Sequence, residues 1–334
     1  MSQNEFNKHV NQFFDYFNKA TLLINKDLHG RYLECLEEAT KELLEGNYSD
    51  KLSEGHQKML KNIWDEFNTI QFNNEEARLA WEQLIIMALK DQLMPLSVLI
   101  PDCMGYFMAI LVNELYKDET FSCCDIAMGT GSLLFTLKSY HEEEILALGI
   151  EEDSQLIKCA QIGEALQDSS INIYQNPLLK ELGIEVDFLL GNLNGYDMNE
   201  PIESNLYSLG VRYMPYLMIE RRLDNLREKG HFCFIVPTNF FSQSSIELFQ
   251  AMFKDQATLD AVIILPEGLF KNKSDGKLLI VGTKVPSYNS NGEHLSTDIL
   301  TIKGLDAPSL NDARQMLRGL AQAIKEEYHE NFSD

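Results

Sequence analysis

The 334 residues are 45% hydrophobic and carry 28 Lys and Arg against 51 Asp and Glu, a net charge of −23. That composition excludes wholesale disorder and leaves enough apolar mass for one large domain or two ordinary ones, and no apolar run reaches the 18 residues of a membrane span. A generally basic nucleic-acid-binding face is excluded too, because residues 1–100 hold 10 basic and 16 acidic side chains and the remainder is more acidic still, so any contact with phosphates needs a local patch or a partner subunit.

The opening MSQNEFNKHVNQ lacks a basic-then-apolar leader pattern, so a cytoplasmic location is expected. Phe6, Val10, Phe13, Phe14 and Phe17 recur at three- and four-residue spacing, a helical stripe. Leu33, Leu36, Leu43 and Leu44 predict a second helix closing near Gly46-Asn47, and a third runs from Gln57 through Trp64 to Phe67. Asn74 is placed to cap a fourth, with Leu79, Trp81, Leu84, Ile85 and Met87. The aromatics read as the core of a bundle. Pro95 and Pro101 then punctuate the chain, predicting a helical domain over 1–95 and a second domain over 96–334.

From there the rhythm alternates. A helix over 102–117 precedes a strand near Phe121–Ile126, and a helix over 132–141 precedes the strand ILALGI at 145–150. Next come a helix over 153–167 and strands at 171–175 and 186–191. A helix over 212–228 leads to HFCFIVP (231–237), and one over 243–254 leads to DAVIILP (260–266). KLLIVGTKV (277–285), TDILTI (297–302) and a helix from Asn311 to Tyr328 close the chain. Alternation of this kind predicts an α/β fold with a doubly wound, mostly parallel sheet behind an all-helical N-terminal domain.

In such sheets ligands sit beyond the carboxyl ends of the strands, where strand order reverses. The stretch DIAMGTGSLL fits a ligand turn: Asp125 ends a strand, Gly129-Thr130-Gly131 makes the turn and Ser132 opens a helix. Glycine permits positive φ and close approach of a ligand to the backbone. The next strand ends LGIEED, placing Glu151 twenty residues after Gly131, where a carboxylate reaches ribose hydroxyls. A dinucleotide fingerprint needs a third glycine where Leu134 stands, which disfavours a nicotinamide cofactor. The acid four residues before the first glycine instead suits a ligand's ammonium group.

This D-x-x-x-G-x-G turn resembles the S-adenosylmethionine turn of class I methyltransferases, and most closely the D-P-A-C-G-T-G form of adenine-N6 DNA methyltransferases. That group includes the modification subunits of type I restriction systems and shorter stand-alone bacterial relatives. The resemblance covers residues 98–285. VLIPDCMGYFMAILV is similar to the T-P-x-x-x-G segment that covers the cofactor's methionine end, with Pro101 matching and Ile100 standing where Thr is common. Asp125, Ala127, Gly129, Gly131 and Ser132 match the turn, with Ile126 for Pro. Glu151 matches the ribose acid, and Asn176 in YQNPLL replaces a carboxylate beside the cofactor adenine. Where the family carries N-P-P-[FY], this chain has Asn192-Leu193-Asn194-Gly195-Tyr196. The resemblance implies that Asn192 borders the cofactor and accepts from the target amine, that the Leu193 carbonyl assists, and that Tyr196, one residue late, stacks on a flipped base.

What it implies overall is methyl transfer from S-adenosyl-L-methionine to N6 of adenine in DNA. Two alternatives stay open: another methyl acceptor, or a non-catalytic cofactor-binding sensor or assembly subunit. Arg212, Arg221, Arg222, Lys271, Lys273 and Lys277 form the candidate phosphate-binding patch, set against the plainer reading of a solvated helix face and turn. Association with a partner subunit or with itself is left open. His141 beside Glu142–Glu144 reads as a solvated acidic cap, and no metal site is expected. The six cysteines fall at irregular spacing, most in apolar surroundings, so reduced core thiols are expected.

Overall fold

The structure is a computed structural model that describes residues 3–270, 272, 275–285 and 297–331. In chain order the elements are α1 (Gln3–Leu28), α2 (Tyr32–Glu45), α3 (Glu54–Phe67), α4 (Asn74–Asp91), α5 (Asp102–Leu115), β1 (Phe121–Asp125), α6 (Ser132–Tyr140), β2 (Ile145–Glu151) and α7 (Ser154–Gln167). They continue as β3 (Asn172–Gln175), β4 (Val186–Asn192), α8 (Asn205–Ser208), α9 (Met214–Leu223), β5 (Leu226–Pro237), α10 (Ile246–Phe253), β6 (Ala257–Ile264), β7 (Lys277–Lys284), β8 (Asp298–Thr301) and α11 (Ala307–Asn331). The chain divides into two compact units. One runs up to Leu99 and takes in Gly129–Phe135 and Asp153–Ser170; the other holds Ile100–Met128, Thr136–Glu152 and the chain from Ile171 onward.

In the helical unit the stripe on α1 becomes an aromatic core. Phe13 stacks on Phe17 at 5.0 Å, and Phe67 meets Phe13, Phe17, Trp64 and Phe72 within 6.1 Å. Such ring pairs add to the area they bury. Gly46 ends α2 with φ of 67°, its N–H donating to the Glu42 carbonyl. The cap of α4 is Asn73, not Asn74: its side chain accepts from the Glu76 N–H while the Glu76 carboxylate accepts from the Asn73 N–H. That reciprocal box satisfies two otherwise orphaned donors, and Asn74 becomes the first helical residue. α7 joins this unit through Trp81, whose indole N–H donates to the Cys159 carbonyl at 3.1 Å and whose ring meets Phe135 edge-on.

The sheet unit orders its strands β3-β2-β1-β4-β5-β7-β6-β8. Neighbours run parallel except β7, which is antiparallel to both β5 and β6. FLLG in β4 and FCFIV in β5 are buried throughout, the continuous apolar runs expected of strands covered on both faces. From β1 the chain adds β2 and β3 to one side and β4 and β5 to the other. The switch therefore lies between β1 and β4, with the carboxyl ends of both opening on one edge.

One predicted helix is too long. The helix expected over 212–228 stops at Leu223, and β5 already begins at Leu226. The cause is a buried turn. The Arg222 guanidinium donates to the Leu178 and Lys180 carbonyls and to Asn225 Oδ1, and Asn225 donates to the carbonyls of Leu182 and Ile184. Those bonds pull the chain off the helical path.

Candidate functional site

The carboxyl ends of β1 and β2 present two acids. Asp125 is the last residue of β1 and only 1% exposed. Its Oδ1 accepts from the Ala127 N–H at 3.0 Å, while Oδ2 is buried with no partner among the described residues. Burial pushes its carboxyl up to about 7, and the nearby charge of Glu151 adds to the rise. Register pairs Asp125 with Gly149, so Glu151 ends β2 two residues farther along. Glu151 is 6% exposed and accepts at Oε1 from the Glu152 N–H. Asn176 follows β3, its N–H donating to the Glu151 carbonyl and its Oδ1 accepting from Lys180 Nζ at 3.1 Å. In the turn after β1, Gly129 and Gly131 take φ of 58° and 85°, conformations that require glycine there. Ser132 opens α6, and Pro101 caps α5 with its carbonyl accepting from the Met104 N–H.

The carboxyl ends of β4 and β5 present uncharged groups instead. Asn192 ends β4 opposite Ile235, and its side-chain Oδ1 is buried without a partner among the described residues. Leu193 is fully buried, and its N–H donates to the Ile235 carbonyl at 2.8 Å. Asn194 Oδ1 accepts from Lys277 Nζ at 3.1 Å. Lys277 opens β7 opposite Pro237, and burial brings its ammonium down to about 8 against the opposing pull of Asp275.

Gly195 is dictated by its surroundings: a Cβ there would lie 2.9 Å from Pro237 Cγ and 3.0 Å from the Tyr213 hydroxyl. The chain then pairs antiparallel with the start of α9. Met214 N–H donates to the Tyr196 carbonyl, Met198 N–H donates to the Arg212 carbonyl, and Asp197 bridges to Tyr213. The Tyr196 ring is 49% exposed, and burial together with Glu152 and Glu151 raises its phenol.

The expected basic patch separates into fold-holding contacts. Arg222 is 0% exposed and satisfies carbonyls of the 178–180 segment, so it is corrected from a phosphate contact to an internal anchor. Arg221 donates to the Leu179 carbonyl and pairs with Glu181. Arg212 lies 3.7 Å from the Tyr207 ring centroid and donates to the Tyr207 and Val211 carbonyls. Lys277 holds Asn194, and Lys271 and Lys273 lie outside the described residues. His141 bonds Asn113 Oδ1 and packs edge-on against Phe121.

Two residues that the linear sequence did not single out border this edge, Tyr213 and Pro237. Tyr213 lies seventeen residues beyond Tyr196, and only the antiparallel bridge returns it to the loop. No spacing rule announces such a return. The chemical content, among the described residues, is a buried carboxyl oxygen without a partner at the end of β1 and a buried amide oxygen without a donor at the end of the adjacent strand β4.

A family model for the YtxK N-terminal helical domain matches residues 11–89. Over 271 residues the chain is 28% identical to the uncharacterised protein YtxK of Bacillus subtilis (strain 168), covering 78% of this chain and 82% of that one. A Listeria monocytogenes protein, described as a class I S-adenosylmethionine-dependent methyltransferase, superposes with a TM-score of 0.77 at 21% identity, covering 94% of this chain and 99% of that one. The methyltransferase subunit of a Streptococcus thermophilus type I restriction-modification system superposes with a TM-score of 0.57 at 16% identity, covering 92% of this chain and 74% of that one. The structural neighbours of this chain are thus class I S-adenosylmethionine-dependent methyltransferases and type I restriction-modification methyltransferase subunits, and it shares their fold.

Proposed function

We propose that this protein binds S-adenosyl-L-methionine and transfers its methyl group to the exocyclic amine of adenine, N6, with DNA as the carrier of the base. The observation that carries the reading is a pair of oxygens without a partner among the described residues, Asp125 Oδ2 and Asn192 Oδ1, at the carboxyl ends of adjacent strands. A carboxylate buried without a counter-charge is costly, and an α-ammonium group is the partner that would relieve it. The fit to the cofactor is therefore good at Asp125. Glu151 at the end of β2 would take the ribose, Asn176 the adenine edge, Pro101 the methionine end, and the main chain of Ala127, Gly129, Gly131 and Ser132 the amino-acid portion.

The cofactor, when bound, supplies an electrophilic methyl carried on a sulfonium sulfur. The chain's own work is to prepare the nucleophile. An exocyclic adenine amine is weakly nucleophilic because its lone pair is delocalised into the ring. Asn192 Oδ1, which has no donor among the described residues, accepts an N–H of that amine and turns the lone pair outward. The Leu193 carbonyl assists, and the Tyr196 ring, half in solvent at the loop, stacks on the base. Burial of Leu193 and its bond to Ile235 hold the Asn192 backbone while this happens.

Transfer of a tritiated methyl group from S-adenosyl-L-methionine to unmethylated DNA tests the reading. Label on adenine that disappears in Asn192→Ala is the expected result. Tight cofactor binding by calorimetry with no label on DNA, RNA or protein would replace the enzyme with a cofactor-binding subunit. The large acidic surplus and the internal use of Arg222 favour that second reading.

A further inference from the structure

Tyr213 and Tyr216 sit one helical turn apart and pack edge-on at 4.9 Å, but their hydroxyls have different fates. The Tyr216 hydroxyl donates to the Phe240 carbonyl. The Tyr213 hydroxyl has no partner among the described residues, although the residue is only 5% exposed. A buried hydroxyl left unsatisfied is a cost that the fold does not need, because a phenylalanine would fill the same space without it. The hydroxyl is also aimed at a particular place. It stands 3.0 Å from where a Cβ of Gly195 would be, three residues beyond Asn192, and Gly195 is the residue that leaves it room. Its ring is held by the Asp197–Tyr213 bridge and by Tyr216, so the hydroxyl is fixed rather than swinging.

We propose that Tyr213 is a second polar contact to the methyl acceptor: its hydroxyl donates to a ring nitrogen flanking the amine whose N–H is accepted by Asn192 Oδ1. The inference rests on the reading of the acceptor as an adenine amine and deepens it. An oxygen that only accepts, together with a hydroxyl that donates, is complementary to an acceptor that carries a lone pair near its N–H and mismatched to one that lacks that lone pair. Burial and Asp197 push the phenol up to about 12, which keeps the proton on the oxygen and available for donation at neutral pH. Discrimination of this kind comes from the penalty of leaving a buried polar group unpaired when the wrong acceptor enters.

The test uses the full chain with Tyr213→Phe, and DNA copied with dATP, 7-deaza-dATP or 1-deaza-dATP as acceptor. The variant should melt at the same temperature or higher, bind S-adenosyl-L-methionine as the wild type does, and lose about tenfold in kcat/KM on adenine DNA. Wild type should lose a similar factor on one of the two deaza substrates, and Tyr213→Phe should lose nothing further on that substrate. Unchanged kcat/KM in Tyr213→Phe, or undiminished discrimination by it, would overturn the proposal while leaving the acceptor reading intact. A lower melting temperature with weakened cofactor binding would overturn it in favour of a structural role. Absence of transfer to any DNA by wild type would remove the acceptor reading and this proposal together.

Discussion

The ends of β1 and β2 and the ends of β4 and β5 open on the same edge of one sheet, yet they are prepared for different partners. At the first, Asp125 and Glu151 bring buried carboxyl groups, and Asp125 keeps one oxygen without a donor among the described residues. At the second, the groups without a partner among the described residues are an amide oxygen and a phenol, both uncharged. A lone buried carboxylate is a far larger debt than a lone amide. Under the proposed function the first edge takes the positively charged cofactor and the second the neutral nucleophile, and the difference between the two sets of groups suits that division.

The largest expected effect tests the charged edge. Asp125→Asn removes the group that an ammonium would answer, and affinity for S-adenosyl-L-methionine should fall several-hundred-fold, read by calorimetry, about 3–4 kcal/mol. The same substitution should stabilise the free protein. A carboxyl whose pKa rises from 3.8 to about 7 on folding binds more protons folded than unfolded between those values, so its cost grows as pH climbs from 4 and is complete above 7. Asp125→Asn should therefore melt higher than wild type at pH 8, with the gain shrinking toward pH 4. Wild-type affinity for the cofactor should weaken as pH falls below 7, since a protonated Asp125 must first give up its proton. Equal affinity at pH 5.5 and 8 would break the assignment of Asp125 to a cation.

Next comes the neutral edge. Asn192→Ala should lower kcat for methyl transfer about 100-fold, while cofactor affinity falls far less. Because Oδ1 has no partner among the described residues, the melting temperature should barely change. A variant that lost cofactor binding and turnover together would merge the two edges into one function and end the comparison.

Smaller again is the effect expected at Gly195. A methyl group there meets Pro237 Cγ at 2.9 Å and the Tyr213 hydroxyl at 3.0 Å, so Gly195→Ala must displace one of them. About tenfold in kcat/KM and about 1–2 kcal/mol of stability should go, measured by kinetics and denaturant unfolding. Full activity would mean that the Asn192–Tyr196 loop tolerates movement and is not a preorganised site.

The two edges also differ in how much the sequence disclosed. Asp125, Gly129, Gly131 and Glu151 were legible because a βα turn is local: its acid, its positive-φ glycines and the next strand's acid fall at fixed offsets. Gly46 at the end of α2 was legible for the same reason. The acceptor edge is assembled from distant segments. Tyr213 arrives through a bridge to Asp197, and Lys277 through the antiparallel pairing of β7 with β5, which breaks the strand–helix alternation that the sequence otherwise obeys. Arg222 misled because basic residues on a helix read as solvated, whereas backbone carbonyls at 178 and 180 had claimed its guanidinium. The N-cap of α4 slipped by one residue because Asn73 and Asn74 are chemically equal, and only the reciprocal bond with Glu76 separates them.

The smallest effect sharpens the comparison from inside the neutral edge, because Lys277 is a charge there. Its ammonium is half-buried and falls from 10.5 to about 8 on folding, so below pH 8 the folded chain bears the cost of desolvating it. Between 8 and 10.5 the unfolded chain binds more protons, and wild-type stability rises with pH over that window as the cost is lifted. Lys277→Met keeps the aliphatic stem and removes the charge. It should melt higher than wild type at pH 7, by about 1–3 kcal/mol, and the advantage should fade by pH 10.5. Losing the bond to Asn194 Oδ1 should cost turnover only a few-fold, because the Leu193–Ile235 bond and the pairing of Tyr196 with Met214 still hold the loop. If Lys277→Met instead abolished transfer at every pH, Lys277 would be contacting the acceptor itself, and the second edge would have to be redrawn as one that also recognises negative charge.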